Sequence, residues 1–229
     1  MVRGYIFDWD GTLSNTIGLT YDIYRQVFRE MGKGTLSRRK FNAFFGRNHL
    51  ELYNKLGLTP SERRVADERW LDAYRKRQNE ISLYPHAREL LEHLKKNGFK
   101  TALVSSGKTW RIAEELDLLG IGHLFDCVVT AEHTTALKPA PDGILAATKK
   151  LGVVPADCIY VGDMAEDVAA GKRAGMKTAV VTHGLQTKRE LAKAKPDFFL
   201  KSLNPPLGTT RAPKPLQLLR KLLSPQRRG

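Results

Sequence analysis

The chain opens on an apolar run, residues 3–7 (RGYIF), that stops at once in the acidic turn DWDGT. A run that short, apolar at successive positions, predicts a strand buried on both faces. From residue 16 to residue 82 the pattern changes to helical spacing. Ile17, Tyr21, Tyr24, Val27, Phe28 and Met31 recur three or four apart, and Gly32 and Gly34 stop that helix. Shorter helices are expected over 36–45 and 49–56. Pro60 and Ser61 open another that is expected to reach residue 81. No strand pattern interrupts this stretch, which predicts an all-helical insert.

From residue 85 helices and strands alternate. Helices are expected over 85–97, 109–119, 141–151, 165–174 and 188–194, with Gly98, Gly152 and Gly175 as stops. Strands are expected over 99–104, 126–130, 157–161, 177–181 and 197–200. Repeated βα units with apolar strands predict an α/β fold, a Rossmann-like parallel sheet covered by helices on both faces. After residue 203 the composition shifts to NPPLGTTRAPKP, rich in Pro and Gly, and then to a short amphipathic segment at 216–223. The expected organisation is an α/β core over 1–15 and 83–203, a helical cap over 16–82, and a basic, Pro-rich tail over 204–229 without a core pattern.

Composition narrows the function classes. Hydrophobic residues make up 41% of the chain and charged ones 27%, ordinary for a soluble protein. No apolar run approaches the ~18 residues of a membrane span. Asp8 and Asp10 follow the first apolar run too closely for a signal peptide, so a cytoplasmic protein is expected. Cys127 and Cys158 sit in apolar runs as small core residues; they are too few for a disulfide framework and wrongly spaced for zinc. The formal charge is +14, but residues 201–229 hold seven Lys and Arg and no acid, which leaves +7 on the rest. A body of that charge favours encounter with a small anionic substrate. The tail could meet nucleic acid or acidic lipid, yet it has no aromatic to stack on bases and no dense basic cluster.

In open parallel sheets ligands bind beyond the carboxyl ends of the strands. Asp8, Ser105, Lys138 and Asp163 all follow expected strands. Gly11 lets the chain turn, so Asp8 and Asp10 can take different environments and divide nucleophilic from proton-transfer work. The Ser105 hydroxyl and the backbone N–H groups of Ser106 and Gly107 can hold phosphate oxygens. The Lys138 ammonium can neutralise charge on an acid and on a phosphoryl group. Asp163 and Asp167, four apart at a helix start, can face one cation, and oxygen ligands suit Mg²⁺. Taken singly, each motif also fits a plainer reading: an Asx-turn, an N-cap, a surface lysine, a helix cap. The ordered set is what points to a site.

Together, DWDGT at 8–12, VSSG at 104–107, KP at 138–139 and GDMAED at 162–167 resemble the haloacid dehalogenase superfamily over roughly residues 3–203. The helical insert resembles that family's small cap, and KPAPDGILAATKKLGV looks most like its phosphoglycolate phosphatase branch. The resemblance implies a Mg²⁺-dependent phosphatase that works through an aspartyl-phosphate on a small phosphorylated metabolite, phosphoglycolate first. It implies Asp8 as nucleophile and metal ligand. Asp10 would be general acid/base and would bind the metal through its backbone carbonyl. Thr12 would support the site, and Ser105, Ser106 and Gly107 would bind the phosphoryl group. Lys138 would balance charge, and Asp163 and Asp167 would bind or orient the metal. Asn15 stands where many relatives carry Asp, which touches the cap hinge more than the chemistry. The cap must then set specificity, with Arg47 the leading contact beside Asn48 and His49. A sugar-phosphate mutase, and a regulatory phosphate binder with a nucleic-acid-binding tail, are the alternatives. Monomer and homodimer both fit.

Overall fold

The structure is a computed structural model that describes residues 2–45 and 49–204, with the backbone alone for 49–51. Arg47 and the tail beyond residue 204 therefore lie outside the described residues. Six parallel strands form one sheet: β1 (Gly4–Phe7), β2 (Lys100–Val104), β3 (Cys127–Val129), β4 (Cys158–Gly162), β5 (Lys177–Val181) and β6 (Phe198–Leu200). Among the described residues the helices are α1 (Ile17–Glu30), α2 (Arg38–Phe44), α3 (His49–Lys55), α4 (Pro60–Lys76), α5 (Ala87–Lys96), α6 (Thr109–Leu118), α7 (Asp142–Leu151), α8 (Ala165–Arg173) and α9 (Lys188–Lys193). None of them is long and apolar enough to cross a membrane.

The strand order is β3-β2-β1-β4-β5-β6. The chain builds outward on one side of β1, then returns to the other, which makes the carboxyl end of β1 the switch point where such sheets bind ligands. In register, Phe7 faces Leu103 on one edge and Val161 on the other. This central position explains the uninterrupted apolar run of β1, whose four residues are all buried. Alternate side chains face opposite layers. Tyr5 and Phe7 pack with Leu91 and Leu94 of α5 and with Ile112 and Leu116 of α6. Ile6 packs with Ile144 and Ala147 of α7 and with Ala170 of α8.

The chain divides into two compact units, Thr16–Ile81 and the remainder. It leaves and re-enters the α/β unit along adjacent segments: the Asn15 N–H donates to Ser82 O at 2.8 Å, and the Tyr84 N–H to Leu13 O at 2.9 Å. The helical unit packs through aromatic pairs, among them Phe28–Tyr53 at 6.1 Å and Trp70–Tyr74 at 4.7 Å between centroids. At the start of α4, Glu62 accepts the Thr59 N–H at 2.9 Å and donates its own N–H to Thr59 Oγ1, a capping box. That helix ends at Lys76, short of the expected residue 81. A separate 3₁₀ turn follows at Gln78–Glu80, fixed by the Arg77 guanidinium on both Glu80 oxygens at 2.6 and 2.7 Å.

Candidate active site

Strand β1 ends in a tight turn. The N–H groups of Thr12, Leu13 and Ser14 all converge on Trp9 O, at 3.0 to 3.1 Å, and Gly11 takes a left-handed φ of 85°. Because of that turn the two acids diverge. Asp8 is buried, its N–H donating to Val161 O at 2.8 Å, and its carboxylate faces Lys138, Asp163 and Asp167. Asp10 turns the other way, onto Arg111.

Lys138 arrives from the segment between β3 and α7. Its ammonium donates to Asp8 Oδ1 and, at 2.7 Å, to Asp167 Oδ1. Asp167 sits in the first turn of α8, where Oδ2 accepts the N–H groups of Met164 and Asp163 at 2.9 and 3.2 Å. A carboxylate at that position suits the positive end of a helix. Asp163 is fully buried after β4, and its Oδ2 accepts the Leu185 N–H at 2.8 Å. Thr12 Oγ1 bridges the two acids, at 3.3 Å from Asp163 Oδ1 and 3.5 Å from Asp8 Oδ2. Both distances exceed the usual hydroxyl range, the second more so, and Thr12 holds Asp8 Oδ2 only weakly.

Electrostatics follow from this crowding. Burial pushes the Asp8 carboxyl up to about 7; Lys138 pulls it down, and Asp167 adds to the rise. Asp163 is raised well above the carboxylate range by burial and then by Asp167 and Asp8. Burial opposes the charge on Lys138, but Asp167 and Asp8 outweigh it and hold the ammonium well above its usual range. Oxygens of Asp8, Asp163 and Asp167 lie within 4.8 Å of one another. Among the described residues three buried carboxyl groups face one ammonium, so when all three are ionised they leave an excess of negative charge in a low-dielectric place. An all-oxygen donor set with that excess fits a hard divalent cation such as Mg²⁺.

Ser105 follows β2 and is buried, with Oγ accepting the Gly107 N–H at 3.0 Å. That backbone donor, expected to serve a phosphoryl group, is thus used within the loop, while the Ser105 O–H keeps its own proton to donate. Ser105, Ser106 and Lys138 line one small cleft. The structure therefore gathers Asp8, Thr12, Lys138, Asp163 and Asp167 into one cluster, with Ser105 and Ser106 beside it. The side chain of Asp10 is directed elsewhere.

Several supporting groups carried no signal at the level of motifs. Tyr160 of β4 donates to Asp167 Oδ1 at 3.4 Å. His183, its pKa lowered by burial, packs tilted against Tyr84 with ring centroids 3.9 Å apart, and its Nε2 donates to Thr12 O at 3.1 Å. The same loop brings Gly184 so close that a Cβ there would lie 2.1 Å from Asp163 Oδ2. Gly184→Ala is accordingly expected to raise the Mg²⁺ concentration that half-saturates a thermal-shift titration by about tenfold or more. An unchanged titration would show that Asp163 can move aside without consequence.

A family model described as haloacid dehalogenase-like hydrolase matches residues 5–181. A pyrophosphatase PpaX of Bacillus velezensis is 30% identical, over 91% of this chain and 96% of its own. One of Oceanobacillus iheyensis is 28% identical, over 88% and 94%. A solved structure, that of a predicted phosphoglycolate phosphatase from Haemophilus somnus, superposes with a TM-score of 0.82 at 24% identity, over 89% of this chain and 95% of that one, a likeness of fold. By the family match over most of its length, the chain belongs to the haloacid dehalogenase-like hydrolases.

Proposed function

We propose that this chain is a Mg²⁺-dependent phosphatase that hydrolyses a small phosphorylated metabolite through an aspartyl-phosphate on Asp8. The observation that carries the reading is the Asp8 carboxylate itself. It sits at the switch point of the sheet, paired with Lys138 on one oxygen and weakly held on the other, beside Asp163 and Asp167. A carboxylate oxygen of Asp8 attacks phosphorus and the bond to the leaving oxygen breaks. Asp10 gives that oxygen a proton. Water then attacks phosphorus, the acyl-phosphate bond breaks, and Asp10 takes the proton from the water. Lys138 offsets charge on Asp8 and on the phosphoryl group, and the Ser105 hydroxyl donates to a phosphoryl oxygen. Asp8 and Asp163 would hold Mg²⁺, with Asp167 orienting the pair from its fixed place on α8. Bound there, the metal would supply charge stabilisation for phosphoryl transfer.

Relatives named as pyrophosphatases support testing pyrophosphate beside phosphoglycolate as a first substrate. The expected result is phosphate release from at least one of a panel of phosphomonoesters and pyrophosphate, present with Mg²⁺ and lost in EDTA. The ranking within the panel names the substrate class. No turnover on any member by folded, Mg²⁺-supplied protein would overturn the reading. Transfer to a sugar hydroxyl in preference to water would replace it with a mutase.

A further inference from the structure

Helix α6 carries a charged pair on the face it buries. Arg111 and Glu115 are one helical turn apart, and Glu115 is completely buried. The Arg111 guanidinium forks onto Asp10, Nη1 to Oδ1 at 2.9 Å and Nη2 to Oδ2 at 2.6 Å. Nη1 also donates to Glu115 Oε1 at 2.8 Å, and Glu115 Oε2 accepts the indole N–H of Trp9. The turn after β1 is thus gripped at two successive residues, 9 and 10, from one helix.

Stability alone is a poor reason for this arrangement. A largely buried triad of ions commonly does no better than well-packed apolar side chains of the same volume. What an apolar triad cannot do is fix the plane of a carboxylate. A forked guanidinium does so on both oxygens at once.

We propose that Arg111, itself held by Glu115, is a positioning residue that fixes the Asp10 carboxylate for proton transfer. The inference rests on the phosphatase reading above. It makes the effect of Arg111 depend on the leaving group. An alkoxide must receive a proton as it leaves; p-nitrophenolate departs as a stable anion and needs none. A residue that merely supports the fold would penalise both substrates alike.

The test uses Arg111→Lys, which keeps the charge facing Glu115 and removes the fork. The quantity compared is kcat/KM, which reports the steps up to leaving-group departure, for p-nitrophenyl phosphate and for the alkyl phosphate that wild type turns over fastest. The alkyl phosphate is expected to lose ~100-fold and p-nitrophenyl phosphate only a few-fold, on the scale of general acid catalysis. In an Asp10→Asn background the same substitution should add little, because both changes remove one function. If Arg111→Lys fails to fold, the double variant Arg111→Met with Glu115→Gln leaves no unpaired charge between them and is measured the same way. Equal losses on the two substrates, or full additivity with Asp10→Asn, would overturn the inference and leave the phosphatase reading standing. With Mg²⁺ present, wild type inert toward both substrates but active on pyrophosphate, whose leaving phosphate departs as a stable anion, would overturn the inference alone; wild type inert toward pyrophosphate as well would overturn the reading and the inference with it.

Discussion

Asp8→Asn is expected to lower turnover by ~10⁴-fold or more while leaving the fold intact, the scale seen when a nucleophile is removed from an intact site. The amide is nearly the same shape as the carboxylate and still accepts from Lys138 through its oxygen. Only the charge and the nucleophilicity go. Wild type carries a cost at this position, because burial pushes the Asp8 carboxyl up to about 7. A neutral amide avoids it, so in EDTA the variant should melt no lower than wild type. With Mg²⁺ the order reverses. Wild type should gain from a ligand that binds only the folded state, and the variant should gain less because one of the three clustered carboxylates is gone. Phosphate release and thermal melts, each with and without Mg²⁺, check all of this. Turnover within ~10-fold of wild type would mean that phosphoryl groups reach water without passing through Asp8.

The sheet and the acidic cluster were legible for one physical reason. A strand buried on both faces must be apolar throughout, and when it ends at a binding crevice the next residue can be an acid. RGYIF followed by DWDGT, and CIYVG followed by DMAED, show that switch in adjacent letters. Helix stops were legible where a glycine takes a left-handed φ, as Gly152 does at 66° after α7. The end of α4 was not, because Arg77 and Glu80 read as ordinary helical residues until their ion pair is seen closing a separate turn. Arg111 was missed on similar grounds. Its partner Asp10 is 101 residues away, and an arginine at the edge of an amphipathic helix usually reads as solvated. The available signal was weak: Arg111 and Glu115 bracket Ile112 and flank Leu116, so an oppositely charged pair lies along the stripe that α6 buries. Gly184 left no trace, since nothing local shows that Asp163 will press against it.

Lys138→Met is expected to destabilise the protein by about 3–5 kcal/mol in EDTA, the cost of leaving buried charge without its partner. Its ammonium is the cation in contact with Asp8 and Asp167, and all three clustered carboxylates are buried. The sign of the pH dependence follows. A carboxylate whose folded pKa lies above its unfolded value stabilises least when ionised. Asp8 moves from 3.8 unfolded to about 7 folded, so its contribution is best at low pH and declines as pH rises through that window. Removing Lys138 takes away the interaction that lowers this pKa and so deepens the decline. The deficit relative to wild type should therefore be small near the bottom of the window and largest above it. Chemical denaturation in EDTA across that range measures it. Mg²⁺ should restore part of the stability, because a cation among the carboxylates does some of what the ammonium did. It should not restore turnover, which is expected to stay ~10²–10³-fold down, the usual loss when one stabiliser of transferring charge is removed. A variant with full turnover in Mg²⁺ would show that the ammonium serves the fold alone, and that charge on the phosphoryl group is met elsewhere in the site.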